Sequence, residues 1–96
     1  MALKDRYDFD MLVNEAEGLV LTELEAQMAR TPGLCTCQDC VLDMAAYALN
    51  NVRPSYRASL MGSLYAKAAV RPTYTREITQ AVHEAIEKVR ANPSHD

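Results

Sequence analysis

Three cysteines fall within six consecutive positions, Cys35-Thr36-Cys37-Gln38-Asp39-Cys40, and the 96-residue chain has no others. An odd, tightly clustered set of thiols makes a poor disulfide framework and points to metal or redox chemistry in a reducing compartment. The cluster also constrains the fold around it. Thr31-Pro32-Gly33 stands just before it; proline supplies no amide and glycine accepts a left-handed turn, so any preceding helix must end there. After it comes VLDMAAYALNN, rich in alanine and leucine and bounded by Pro54, which reads as a second helix ending before that proline. Thr36 and Asp39 have capping-box-like spacing at its start. With Cys37 and Cys40 in the first turn, a separation of three residues puts both sulfurs on one face, and Cys35 must reach them from the loop.

Three converging thiolates suit a soft cation, and the positive end of the helix dipole lowers the cost of holding them. Zinc is the first expectation. Thiols that carry no metal, thiols active in redox chemistry and an iron–sulfur cluster remain open to the same residues. Zinc prefers four ligands, and the sequence does not choose among His83, His95, Asp39, water or a second chain for the fourth.

The rest of the chain predicts an all-α domain: three main helices and an irregular, turn-rich middle. The first helix is expected from about Phe9 to Met28, with Phe9, Leu12, Val13, Ala16, Leu19, Val20 and Leu24 recurring at three- and four-residue steps and Asp8 at the cap. Leu12, Leu19 and Leu21 lie off the Val13-Ala16-Val20-Leu24 line, so a second apolar face is available to a partner chain and a homodimer is expected. The near-continuous apolarity of the second helix implies burial. A third helix is expected from about Thr75 to Ala91, with Ile78, Val82, Ala85, Ile86 and Val89 in one stripe. Residues 1–96 form a single domain on this reading, frayed over about 1–8 and 92–96. No apolar run is long enough to span a bilayer, and MALKDRYDFD has acids where a signal peptide needs an apolar core, so no membrane association and a cytoplasmic location are expected.

The middle, from Val52 to Arg76, reads as turns with one or two short extended pieces. Its charge is more telling. Between Asp43 and Glu77 there is no acid, while Arg53, Arg57, Lys67, Arg71 and Arg76 all fall there, in a chain of net charge −3. Tyr47, Tyr56, Tyr65 and Tyr74 interleave with these cations. Guanidinium forks and aromatic faces are what an anionic, ring-containing ligand needs, and Arg53, Tyr56, Arg57 and Arg71 are the candidate contacts. The competing reading is that Arg53 and Arg57 pair with acids on the first helix or cap carbonyls at the end of the second, with the tyrosines half in the core.

The run CTCQDCVLDMAAYALNNVRPSY, followed by GSLYAKA and a closing helix ending in VRANPSH, resembles the late competence development protein family, ComFB. The positions carrying the resemblance are Cys35, Cys37, Cys40, Asp43, Ala48, Leu49, Asn50, Pro54 and Tyr56. It implies a small, all-helical, homodimeric cytoplasmic regulator with zinc at the cysteine motif and roles around DNA uptake, pili and motility. Binding of cyclic di-GMP is also implied, which directs attention to the cationic segment. The alternative is a zinc-stapled dimeric scaffold that binds only other proteins. An enzyme is not expected, because there is no glycine-rich phosphate loop, nucleophile elbow or HExxH motif. Nucleic acid is not an expected partner either, since five clustered cations in an acidic chain neutralise few phosphates.

Overall fold

A computed structural model describes residues 2–58 and 72–93. Four helices occur among them: α1 (Leu3–Arg6), α2 (Glu15–Ala29), α3 (Gln38–Asn50) and α4 (Pro72–Ala91). The last three pack against one another in a triangle. Ala16, Val20 and Leu24 of α2 meet Cys40, Met44, Ala45 and Ala48 of α3, and the apolar stripe of α4 closes the core with Tyr74, Ile78, Ala81, Val82, Ala85, Ile86 and Val89. All five residues of the stripe expected on the third helix are therefore buried. Alanine at 16, 45, 48, 81 and 85 lets the backbones approach closely, and Met44, wholly buried, fills the centre.

The long first helix begins later than its hydrophobic periodicity suggests, at Glu15 rather than about Phe9. Asn14 is its cap: the side-chain oxygen accepts from the Ala16 amide at 3.1 Å. Asp8 instead accepts from the Asp10 amide in a local turn, at 2.8 Å. What overrides the helical pattern is a tertiary pairing. Val13–Asn14 (β1) runs antiparallel to Tyr56–Arg57 (β2), with Val13 opposite Arg57 and Asn14 opposite Tyr56. The Asn14 side chain also accepts from the Ser55 amide at 2.8 Å, and the Glu15 amide donates to the Ser55 carbonyl at 2.7 Å. The fold is thus mostly helical with a small two-stranded sheet, rather than purely helical, and one short extended piece of the middle is β2. Lying ahead of the late helix start, Leu12 and part of Phe9 are exposed.

Where the chain turns toward the cysteines, α2 ends as its breakers require. The Arg30 and Thr31 amides donate to Gln27 and Met28 carbonyls, the Thr31 hydroxyl donates to the Gln27 carbonyl at 2.7 Å, and Gly33 takes φ +81°. Gln27, the one buried polar residue among those described, is satisfied through its amide nitrogen by the Thr79 carbonyl of α4 and the Glu23 carboxylate. Helix α3 is less enclosed than its apolar composition implies: Leu42 is 56% exposed, and Leu21 on α2 is 51% exposed. The third long helix opens at Pro72, three residues before its expected start, where a missing amide costs nothing at a helix's first turn. None of the described helices is long and apolar enough to cross a membrane.

Candidate metal centre

After the turn at Gly33, a short loop leads into α3. Cys35 lies in this loop, Cys37 is the N-cap of α3 and Cys40 is three residues further on. The expected Thr36–Asp39 capping box is replaced by one residue: the Cys37 sulfur accepts from the Cys40 amide at 3.4 Å. Cys37 adopts φ −69°, ψ 163°, an extended conformation that folds its side chain back over the first helical turn. Cys40 is fully buried beside Met44, while Cys35 and Cys37 are half-buried and pack against the same core.

The three sulfurs lie within 4.8 Å of one another. In a tetrahedral site with metal–sulfur bonds of about 2.3 Å, adjacent sulfurs stand about 3.8 Å apart, so the observed cluster is within about an ångström of that geometry. Thiolates on a helix N-terminus, backed by apolar side chains, are a suitable donor set for a soft divalent ion. The cysteines are thus close enough to hold a metal, as their spacing predicted. Among the described residues, neither Asp39 nor His83 joins the cluster; His95 lies outside them.

The cationic candidates are arranged differently. Arg53 clasps Glu77 of α4: its Nη2 and Nε stand 2.9 and 3.0 Å from Oε2, and its backbone amide donates to Oε1 at 3.3 Å. This hydrogen bonding holds the Glu77 carboxyl below its ordinary pKa. The Arg53 guanidinium also lies over the Tyr74 ring, 5.5 Å from its centroid, and the Tyr74 hydroxyl donates to the Arg53 carbonyl at 2.6 Å. Burial, then the charge of Glu77, raises the Tyr74 pKa, and Arg53 opposes them. Arg57 pairs with Glu15 at the start of α2, both side chains about a quarter exposed. Tyr56, between the two arginines, is 64% exposed. Arg71, with Lys67 and Tyr65, lies outside the described residues.

Sequence reasoning offered acids on the first long helix as partners, which holds for Arg57 and Glu15 but not for Arg53 and Glu77. Glu77 is the first acid after the acid-free interval, and Asn14-Glu15 is a capping residue followed by a first-turn acid, so both were visible as types. The pairing of Glu77 with Arg53, 24 positions away, was not.

Fold and cluster together define a class: a small helical protein with a three-cysteine turn able to take a metal at the head of one core helix. The chain belongs to the family described as late competence development protein ComFB, whose pattern matches residues 13–93, from β1 through the end of α4. The curated competence protein ComFB of Bacillus subtilis (strain 168) is 40% identical over 58 residues, an alignment spanning 60% of this chain and 59% of that relative, which is less than two thirds of its length. A solved structure of the late competence protein ComFB from Bacillus subtilis shares the fold with a TM-score of 0.68 at 32% identity, over 86% of this chain and 94% of that one.

Proposed function

We propose that this chain is a non-enzymatic competence regulator or adaptor of the bacterial cytoplasm, stapled by zinc at Cys35, Cys37 and Cys40 and acting as a homodimer. The convergence of the three sulfurs within 4.8 Å carries the zinc reading. A small triangular core gains much from a metal that joins the loop after α2 to the head of α3, because structural zinc contributes folding energy outright. Exposed Leu12, Leu21 and Leu42 supply apolar surface for a second copy. Metal analysis of the purified protein is expected to give about one zinc per chain, and light scattering a dimer mass. Metal-free protein with full cysteine reactivity, or a monomer at micromolar concentration, overturns the corresponding half of this reading.

Cyclic di-GMP is the second reading, favoured by one observation: Arg53, its guanidinium exposed over the Tyr74 ring, shares a short segment with exposed Tyr56. A phosphate there has to draw Arg53 away from Glu77, and Arg57 from Glu15, so binding displaces two existing pairs. In calorimetric titration, Arg53→Ala or Arg57→Ala weakens binding by about 1.5–3 kcal/mol per lost charge-assisted contact, and lysine rescues little because a point charge cannot reproduce the fork. Arg90, paired with Glu87 in the last turn of α4, is the control that leaves binding unchanged. If the unaltered protein does not bind the dinucleotide, a scaffold that binds only proteins is the better account.

A further inference from the structure

We infer that Cys37 and Cys40 close a reversible disulfide when the protein meets a peroxide, and that closing it dismantles the metal cage. The consequence for the metal rests on the zinc reading above; the bond itself rests on the thiol geometry.

The two residues are placed for it. Cys37 caps α3 with an extended backbone, its sulfur 3.4 Å from the Cys40 amide and within 4.8 Å of the Cys40 sulfur. Positions three apart at a helix start fall in the Cα separation a disulfide spans, roughly 4.4–6.8 Å, and the Val41 amide to Cys37 carbonyl bond at 3.0 Å fixes that turn. Their burial is graded: Cys37 is half-buried at the mouth of the cluster and Cys40 is fully buried behind it. Of this pair a small oxidant reaches Cys37 first, and the protected Cys40 is the neighbour that resolves it; Cys35 is half-buried like Cys37, so it is the helical turn and not access that selects the pair. Cys35 lies in the loop before this turn.

The step balances as follows. The Cys37 thiolate attacks one oxygen of the peroxide, the O–O bond breaks, and hydroxide leaves a sulfenic acid on Cys37. The Cys40 thiolate then attacks the Cys37 sulfur, the S–O bond breaks, and a second hydroxide leaves as the S–S bond forms. Two thiolates lose two electrons, the peroxide gains them, and each hydroxide takes a proton to become water. Disulfide sulfurs no longer offer anionic lone pairs, so one thiolate, Cys35, remains where a closed metal site needs several.

The test treats the purified full chain with one equivalent of hydrogen peroxide, then counts thiols, maps the linked peptides by mass spectrometry and follows zinc with a chromogenic chelator. Two thiols per chain are expected to disappear, with Cys37 linked to Cys40, zinc released in step, and full recovery of thiols on adding dithiothreitol. Cys35→Ser still forms the bridge, whereas Cys40→Ser does not; since the buried Cys40 variant can fail to fold, Cys35→Ser carries the decision. A dominant Cys35–Cys37 or interchain bridge, stable over-oxidised cysteine, or zinc retained by the bridged chain overturns the proposal. Protein that holds no zinc as purified removes the zinc reading alone, and the peptide map still decides the bridge.

Discussion

The cysteine turn and the arginine segment carry comparable densities of functional chemistry, yet the fold treats them in opposite ways. Cys35, Cys37 and Cys40 are gathered to within 4.8 Å at the head of α3. Arg53 and Arg57 are drawn apart, one to Glu77 on α4 and the other to Glu15 on α2. Local chain geometry explains the first: a turn into a helix brings residues two to five apart together by itself. Long-range neutralisation explains the second, because each cation takes the carboxylate that the packing of α2 and α4 brings beside it. The lesson is that short sequence separation brings side chains together more dependably than shared charge does.

The largest expected effect breaks the comparison on the cysteine side. Serine is among the best N-caps, so Cys37→Ser keeps an acceptor for the Cys40 amide and, without a metal, changes stability by less than about 1 kcal/mol. With a metal it removes a ligand and lowers stability by more than about 3 kcal/mol. Denaturant unfolding with and without chelator separates the two: chelation is expected to bring the unaltered protein down to the level of the variant and leave the variant unmoved. If variant and parent unfold together in both conditions, the cluster is a cap and a packing element, not a staple.

Part of this was legible beforehand for identifiable reasons. The α4 stripe was readable because its period is unbroken from Ile78 to Val89, about three turns, and the cysteine geometry because it is local. The start of α2 was misjudged because Phe9, Leu12 and Val13 continue a helical period that a two-residue ladder cuts short, and nothing in residues 9–14 announces Ser55 as a partner. Cys37 as the cap was hidden by Thr36, the better capping type, one position earlier. Pairing of the arginines with acids on the first long helix holds for Arg57, whose partner is Glu15, but not for Arg53, whose partner Glu77 is on the third.

Next in size are the residues that tie the arginine segment to α2. Asn14→Ala removes both the cap at Ala16 and the acceptor for the Ser55 amide, and is expected to cost about 1–2 kcal/mol. Arg57→Ala leaves the half-buried Glu15 carboxylate without its cation and costs about 1 kcal/mol. Because Asn14 and Glu15 hold adjacent points of one segment, the double variant falls short of the sum of the two losses. Thermal unfolding of the four proteins gives the coupling; strict additivity means that β2 and the α2 cap are independent, and that the segment is not a single clasp.

The smallest effect sharpens the comparison through pH. Glu77 has its pKa lowered chiefly by the hydrogen bond from Arg53. A group whose folded pKa is depressed stabilises the fold fully above the ordinary glutamate range and loses that contribution as pH falls through the folded value. The Arg53 side chain is 70% exposed, so solvent screening keeps the contribution below about 1 kcal/mol. Tyr74 sets the other limit: its pKa is raised, first by burial, so its neutral hydroxyl stabilises the fold below the ordinary tyrosine range and that part is lost as pH rises through the folded value. The Arg53 end of the segment is therefore held best between these limits. Melting curves of the parent and Glu77→Gln should differ at neutral pH, converge as the solution is acidified below the glutamate range, and differ less at high salt. A gap that persists unchanged in acid assigns Glu77 a packing role and leaves Arg53 available for an anion without any pair to displace.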